Sequence, residues 1–150
     1  MFSLIIAIIS IALVAALALA TIYYGGDAFN KGSSAAKASQ LINEGQQLAG
    51  AITLNETDGA ADSSKLKATV ADLAPEYLTQ VPEGWDGTVA LTTNLLQTTA
   101  TVTDKVCDAV NEKAGVAVED KAADVAGIDA TKVYGCFGAG ANANTVFYRF

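Results

Sequence analysis

Histidine is absent from this 150-residue chain. A Ser-His-Asp triad, a His-ligated metal site and an imidazole pH switch are therefore excluded. Cysteine is scarce: two residues cannot build a four-Cys zinc site, and they can form at most one disulfide within the chain. Charge is thin as well. Charged residues make up 17% of the sequence, against roughly 25% in an average soluble protein. Lys and Arg number 9 and Asp and Glu 16, a net charge of −7 that leaves nothing to neutralise a run of phosphates, so no nucleic-acid partner is expected. Gly138-Ala139-Gly140-Ala141-Asn142 is glycine-rich but lacks the lysine and following helix of a phosphate loop. No catalytic pair or metal cluster stands out, and the expectation is a non-enzyme with no cofactor and no metal. The scattered carboxylates read as solvated faces. A weak cation site around Asp120, Asp124 and Asp129 is the alternative, although calcium needs six or more oxygens in a set geometry.

Against these absences stands one long apolar run. Residues 1–26 carry no charged side chain, and Asp27 is the first. From Leu4 to Tyr24 the sequence is nearly all Ile, Leu, Ala and Val, broken by Ser10 and Thr21. About 20 apolar residues at ~1.5 Å rise span a ~30 Å hydrocarbon core. A secretory signal peptide would place a basic region before a shorter run, and no Lys or Arg precedes this one. An ordinary single-span anchor would carry basic residues on one flank. Lys31 and Lys37 lie on the C-terminal side, which favours a body inside the cell, where a disulfide would not persist. The third reading is a helix that sits first in a membrane and is later buried against copies of itself.

The pattern beyond Tyr24 extends the helix. Apolar or small residues recur at Ala35, Ala38, Leu41, Ile42, Gly45, Leu48, Ala49 and Ile52, the spacing of one buried helix face. Lys37, Ser39, Gln40, Asn43, Glu44, Gln46 and Gln47 form the other. One helix to about Ile52 is predicted, apolar all round at first and amphipathic afterwards. At ~75 Å it would be longer than a small domain is wide, so its first half is expected to protrude. The segments are then 1–26, an apolar membrane or filament-core helix; 27–53, its amphipathic continuation; and 54–150, a globular head. The core-packing candidates are Phe2, Leu4, Ile5, Ile6, Ile8, Ile9, Ile11, Leu13, Val14, Leu17, Leu19 and Ile22. Burying each is worth ~1.5–3 kcal/mol, so the drive to leave water is tens of kcal/mol before entropy costs. Alanines at 7, 12, 15, 16, 18 and 20 would let helix backbones approach closely.

This layout resembles the type IV pilins, whose mature chain begins with an apolar helix, continues amphipathically and ends in a small α/β head with a disulfide near the C-terminus. Met1-Phe2-Ser3-Leu4-Ile5-Ile6 matches the family's opening of a bulky residue, a small polar residue and two aliphatics. The glutamate that follows in the family is replaced by Ile6, or by Ile5 if Met1 leads, and its role of neutralising a neighbour's N-terminal amine is not carried over. The departure fits a type IVb or conjugative pilin, a minor pilin or an archaeal relative. The resemblance implies a self-assembling helical homopolymer on the cell surface, membrane-inserted beforehand. It also implies partners in the pilus assembly machinery, a prepilin peptidase that has removed a leader, and a surface receptor or phage. Gly25-Gly26 reads either as the end of the helix after a membrane span or as a stretch that melts in the packed fibre. Gly32 and Gly45 are further candidates for bends or close packing.

In the head, Leu54 to Ser64 reads as a loop carrying the sequon Asn55-Glu56-Thr57. Ser64 is expected to cap a helix over 65–73 that Ala74-Pro75 ends. Turns follow over 82–87, with Trp85 a core plug rather than a ligand platform. A hairpin is predicted from Thr88–Thr92 and Leu96–Thr103 around a turn near Asn94. Asp104 is the expected N-cap of a helix through Ala114, with Gly115 its C-cap and Val106, Cys107 and Val110 its buried stripe. A helical turn over Glu119–Ala126, strands over Thr131–Phe137 and Thr145–Phe150, and a loop over 138–144 between them complete the reading. The fold class is α+β: a long N-terminal helix packed on a small antiparallel sheet with short helices. In an exported chain Cys107 and Cys136 would oxidise, tying the last helix to the sheet; two free buried thiols in a cytosolic protein are the alternative. By the resemblance, residues 108–135 would be the segment exposed for adhesion or phage contact. A single-span anchored binding or adhesion module that never polymerises is the competing function, and a membrane-tethered enzyme a distant third.

Overall fold

A computed structural model describes residues 2–117, 121–138 and 143–150. The expected α+β architecture is present. A long helix, α1 (Phe2–Ala61), comes first, then a short strand β1 (Leu95–Gln97), a second helix α2 (Asp104–Ala114), and strands β2 (Tyr134–Phe137) and β3 (Thr145–Arg149). The chain divides into two compact units, residues 1–34 and 35–150.

In the first unit the helix is uninterrupted, passing through Gly25-Gly26, so that pair does not end it. A Cβ at Gly25, Gly26 or Gly32 would meet nothing within 4 Å.

The second unit begins with the amphipathic half of α1. Of its predicted stripe, Ala38, Leu41, Ile42, Gly45, Leu48 and Ile52 are buried, joined by Ala51, while Ala35 and Ala49 are half-buried. Of these, Ala38, Leu41, Leu48, Ala51 and Ile52 share a core with Val70, Leu73, Trp85, Leu91, Leu96, Val106, Val110 and Val146. Trp85 is a core plug as expected, and its indole N–H donates to Glu44 Oε2 at 3.1 Å.

The helix does not stop near Ile52. It continues to Ala61, through the segment expected to be a loop, because its buried face continues through Asn55 and Gly59 at helical spacing. Leu66 packs so closely on Gly59 that a Cβ there would lie 2.2 Å from Leu66 Cδ2. The helix expected over 65–73 is absent. Asp62, not Ser64, caps a 3-10 turn over Ser63–Lys65, and a second 3-10 turn covers Ala71–Leu73. Between them the backbone is spent on the segment across from it: Val70 N–H donates to Val89 O and Leu91 N–H to Ala68 O.

That pairing also undoes the predicted hairpin. Residues 88–92 bond to 68–71 rather than to β1, while Asn94 makes the expected turn with φ of 53°. β1 pairs with the C-terminal strand instead. The sheet order is β1-β3-β2, all antiparallel, with Leu96 opposite Tyr148, Tyr134 opposite Tyr148 and Cys136 opposite Val146. The central place goes to Thr145-Val146-Phe147-Tyr148-Arg149, the run richest in β-branched and aromatic residues. Both late strands expected from the sequence form, but the first begins at Tyr134 rather than Thr131 and the second ends at Arg149 rather than Phe150.

Tyr148 lies over α1 at Gly45, where a Cβ would come within 2.7 Å of its ring. Glycine is what lets this strand sit flat on the helix. On the opposite face of the sheet Phe147 covers Gly135, where a Cβ would meet its ring at 2.8 Å. α2 has the expected extent, buried stripe and C-cap, with Gly115 at φ of 69°. Its N-cap is Thr103, one residue earlier than expected, and Asp104 is its first helical residue. The turn expected over Glu119–Ala126 survives as a 3-10 turn at Val125–Gly127; Glu119 and Asp120 lie outside the described residues, as do 139–142 of the loop expected over 138–144.

Candidate functional site

Two surfaces were singled out by the sequence, and each unit holds one. In the first, the twelve core-packing candidates from Phe2 to Ile22 are all 53–85% exposed. No face of this helix is reserved for water. The run from Phe2 to Tyr24 is ~34 Å long at ~1.5 Å per residue, matching the ~30 Å of a bilayer core. This helix is long and apolar enough to cross a membrane.

Two of its few polar side chains are turned back on the helix itself. Ser10 Oγ donates to Ile6 O at 2.8 Å and Thr21 Oγ1 to Ala18 O at 2.9 Å. A hydroxyl bonded to the preceding turn asks nothing of its surroundings, so it can enter lipid or a dry helix bundle at little cost. Tyr23 and Tyr24 close the run edge-to-face, ring centroids 5.4 Å apart, immediately before the first charge at Asp27. Tyrosines at that position fit the depth where an apolar body meets a wet boundary.

The second surface is the segment between the cysteines. Cys107 and Cys136 are disulfide-bonded, with Cα atoms 5.3 Å apart, and the bridge ties α2 to β2. Asn111, one turn beyond Cys107, reinforces the tie. Its Nδ2 donates to Cys136 O at 3.0 Å and its Oδ1 accepts from Cys136 N–H at 2.8 Å. β2 is an edge strand, and this buried amide satisfies its outer side as a neighbouring strand would. The C-terminus of α2 is held in the same way: Lys132 Nζ donates to Ala114 O and Gly115 O, and Tyr134 OH to Lys113 O.

A cleft of about 360 Å³ lies beside this segment, lined by Asn111, Val116, Ala122, Asp129, Lys132 and Phe147 among others. Its polar groups are occupied by the fold. Lys132 caps α2, and Asp129 accepts from Thr131 N–H at 2.9 Å and Thr131 Oγ1 at 2.8 Å. Asp124, the other described member of the suggested cation site, accepts from Gly127 N–H at 3.0 Å. The structure does not bring the two together as ligands, and Asp120 is outside the described residues. Among the described residues no group of three or more His, Cys, Asp or Glu could hold a metal ion.

The carboxylates instead stabilise turns. Asp62-x-Ser64, Asp86-x-Thr88 and Asp129-x-Thr131 repeat one device, in which the carboxylate accepts from the hydroxyl and the backbone N–H two residues on. Asp72 does the same backward to Thr69. The Ser64 hydroxyl and then its N–H hold Asp62 below the usual carboxylate range, as do those of Thr69 for Asp72 and of Thr88 for Asp86. For Asp129 the Thr131 N–H leads and its hydroxyl follows.

Three buried asparagines carry contacts that the sequence reading missed. Asn55 is fully buried; Nδ2 donates to Lys65 O at 3.0 Å and Oδ1 accepts from Lys67 N–H at 3.2 Å. The sequon at Asn55 is thus closed to modification in the folded chain. Asn111 and Asn144 are the others. The signal for Asn55 and Asn111 was their phase, in register with Ile52 and with Cys107, at positions where an apolar residue was due. No protein-family model matches this chain, and neither does any curated protein or solved structure.

Proposed function

We propose that this chain is a structural subunit of a pilus-like filament on the cell surface. Residues 2–24 hold it in a membrane before assembly. In the filament they form the core of a helical homopolymer built by repeated head-to-tail contacts, and the acidic heads coat the outside. One observation carries the reading: a dozen large apolar side chains exposed around the whole circumference of the uncharged first stretch of α1. Lipid can cover them one chain at a time, and sister helices can cover them together. The back-bonded hydroxyls of Ser10 and Thr21 suit both settings. Gly25, Gly26 and Gly32 leave room for either close approach or local melting in the packed fibre. By resemblance, an assembly machinery and a prepilin peptidase act on the chain, and residues 108–135 serve adhesion, conjugation, motility or phage contact.

The competing reading is a single-span anchored adhesion module. It is favoured by Tyr23 and Tyr24 at the end of the run and by Ile5 and Ile6 where the pilins carry an acid. Electron microscopy of material sheared from cells, with sizing in mild detergent, separates the two. The filament reading expects polymers that persist at about 1 M salt, where ionic contacts are screened within ~3 Å. Monomers at every concentration, with no sheared filaments, would establish the anchored module instead.

A further inference from the structure

We propose that Lys121 and Asn144 become joined by an intramolecular amide bond, formed by the chain itself with Asp104 as acid–base catalyst. The three side chains meet at the base of α2. Lys121 Nζ lies 3.0 Å from Asn144 Oδ1, and Asn144 Nδ2 donates to Asp104 Oδ1 at 2.8 Å. Lys121 Nζ is 3.8 Å from that same carboxylate oxygen. In an ordinary ion pair the ammonium would sit closest to the carboxylate. Here it is nearer the carboxamide, and the carboxylate sits on the nitrogen that an attack on the amide would expel.

The surrounding backbone fixes this geometry. Asn144 is 0% exposed, its backbone carbonyl accepts from Val102 N–H at 2.8 Å, and its side-chain Nδ2 also reaches Val102 O at 3.3 Å. Gly138 N–H donates to Ala122 O at 3.0 Å, which holds the residue after Lys121 against the end of β2. A Cβ at Gly138 would come within 2.6 Å of Asn144 Oδ1, so glycine there keeps the space the carboxamide occupies.

The chemistry balances without an oxidant or any co-reactant. The Lys121 ammonium passes a proton to the Asp104 carboxylate, and the neutral amine attacks Asn144 Cγ. A C–N bond forms and the carbonyl becomes a tetrahedral oxyanion. When it collapses, the bond from Cγ to Nδ2 breaks. Asp104 protonates the departing nitrogen and returns to the carboxylate, and the amine's remaining surplus proton leaves with the ammonia as ammonium. Holding nucleophile and amide in contact replaces a collision by a unimolecular step, the largest gain an enclosed site offers to so slow a reaction. A positioned acid–base group adds to it. Asp104 is half-exposed, which gives the ammonium a way out to water. The product would fasten the start of β3 to the segment after α2, and it stands whether or not the chain polymerises.

The test is the intact mass of the full-length chain in detergent, after reduction of the disulfide, followed by proteolytic mapping. The expected result is a mass short of the sequence by one ammonia, with Lys121 and Asn144 recovered on a single branched peptide. Lys121→Arg should restore the full mass, and Asp104→Ala should leave the freshly purified chain uncross-linked. A wild-type chain at full mass with the two residues on separate peptides overturns the proposal, as does an ammonia loss that maps elsewhere. A cross-link that persists in Asp104→Ala overturns the catalytic role of that residue.

Discussion

Residues 2–34 and 35–150 solve the problem of polar and apolar surface in opposite ways. In the first, large side chains from Phe2 to Phe29 stand exposed, and the hydroxyls of Ser10, Thr21 and Ser33 are bonded to the helix that carries them. In the second, a shared core is closed by buried asparagines, and among the described residues no buried side-chain nitrogen or oxygen lacks a partner. The head completes itself. The helix interior keeps its hydrogen bonds within itself and lacks packing, so what it chiefly needs from outside is apolar contact.

Removing residues 2–24 should have the largest effect. None of the head's core side chains comes from that segment, so the remainder is expected to run as a soluble monomer without detergent in sizing chromatography, having lost tens of kcal/mol of drive to leave water. A remainder that still partitions into detergent would blur the contrast between the two regions. Next comes the bridge. Replacing Cys107 and Cys136 together by Ser should cost the head about 3.5–4 kcal/mol in denaturant unfolding, by loop-closure arithmetic, and leave the helix's need for detergent unchanged.

The same substitution in the two regions gives a sharper comparison. Gly45→Ala drives a methyl into the Tyr148 ring and should cost about 1–3 kcal/mol in the same assay. Gly32→Ala meets nothing and should raise helix content by up to ~1 kcal/mol of propensity, read by circular dichroism in detergent. If both changes behaved alike, Gly45 would not be a contact site. Acid should give the smallest effect. Asp62, Asp72, Asp86 and Asp129 have folded-state values below their unfolded ones. Their contribution is therefore present above the ordinary carboxylate value of ~3.9 and is lost as pH falls through and below it. The head's melting temperature should drop below about pH 4. Cohesion through residues 2–24 should not change, since no carboxylate lies there.

Much of the head was legible where periodicity and local chemistry agree. The stripe from Ala38 to Ile52, the span of α2 with Gly115 after it, both late strands and the approach of Cys107 to Cys136 all follow from spacing or from residue type. Failures gathered where a polar residue sat in an apolar phase. Asn55 and Gly59 looked like loop, and the helix runs through them because Lys65, Lys67 and Leu66 come back to cover them. The hairpin failed for a different reason. Thr88–Thr92 and β1 each had strand character, but an open backbone edge can pair with any other, and residues 68–71 and β3 were the partners available.

Which parts of this protein shun water could be read from the order of its residues, because burial free energy is a property of side chains and their spacing and needs no knowledge of the partner. Which strand lies in the middle of the sheet, where α1 ends, and the facing of Asn111 and Asn144 onto Cys136 and Lys121 were settled by folding in three dimensions. Those outcomes depend on hydrogen bonds between residues far apart in the chain, whose donors and acceptors are alike at every position until folding brings a particular pair together.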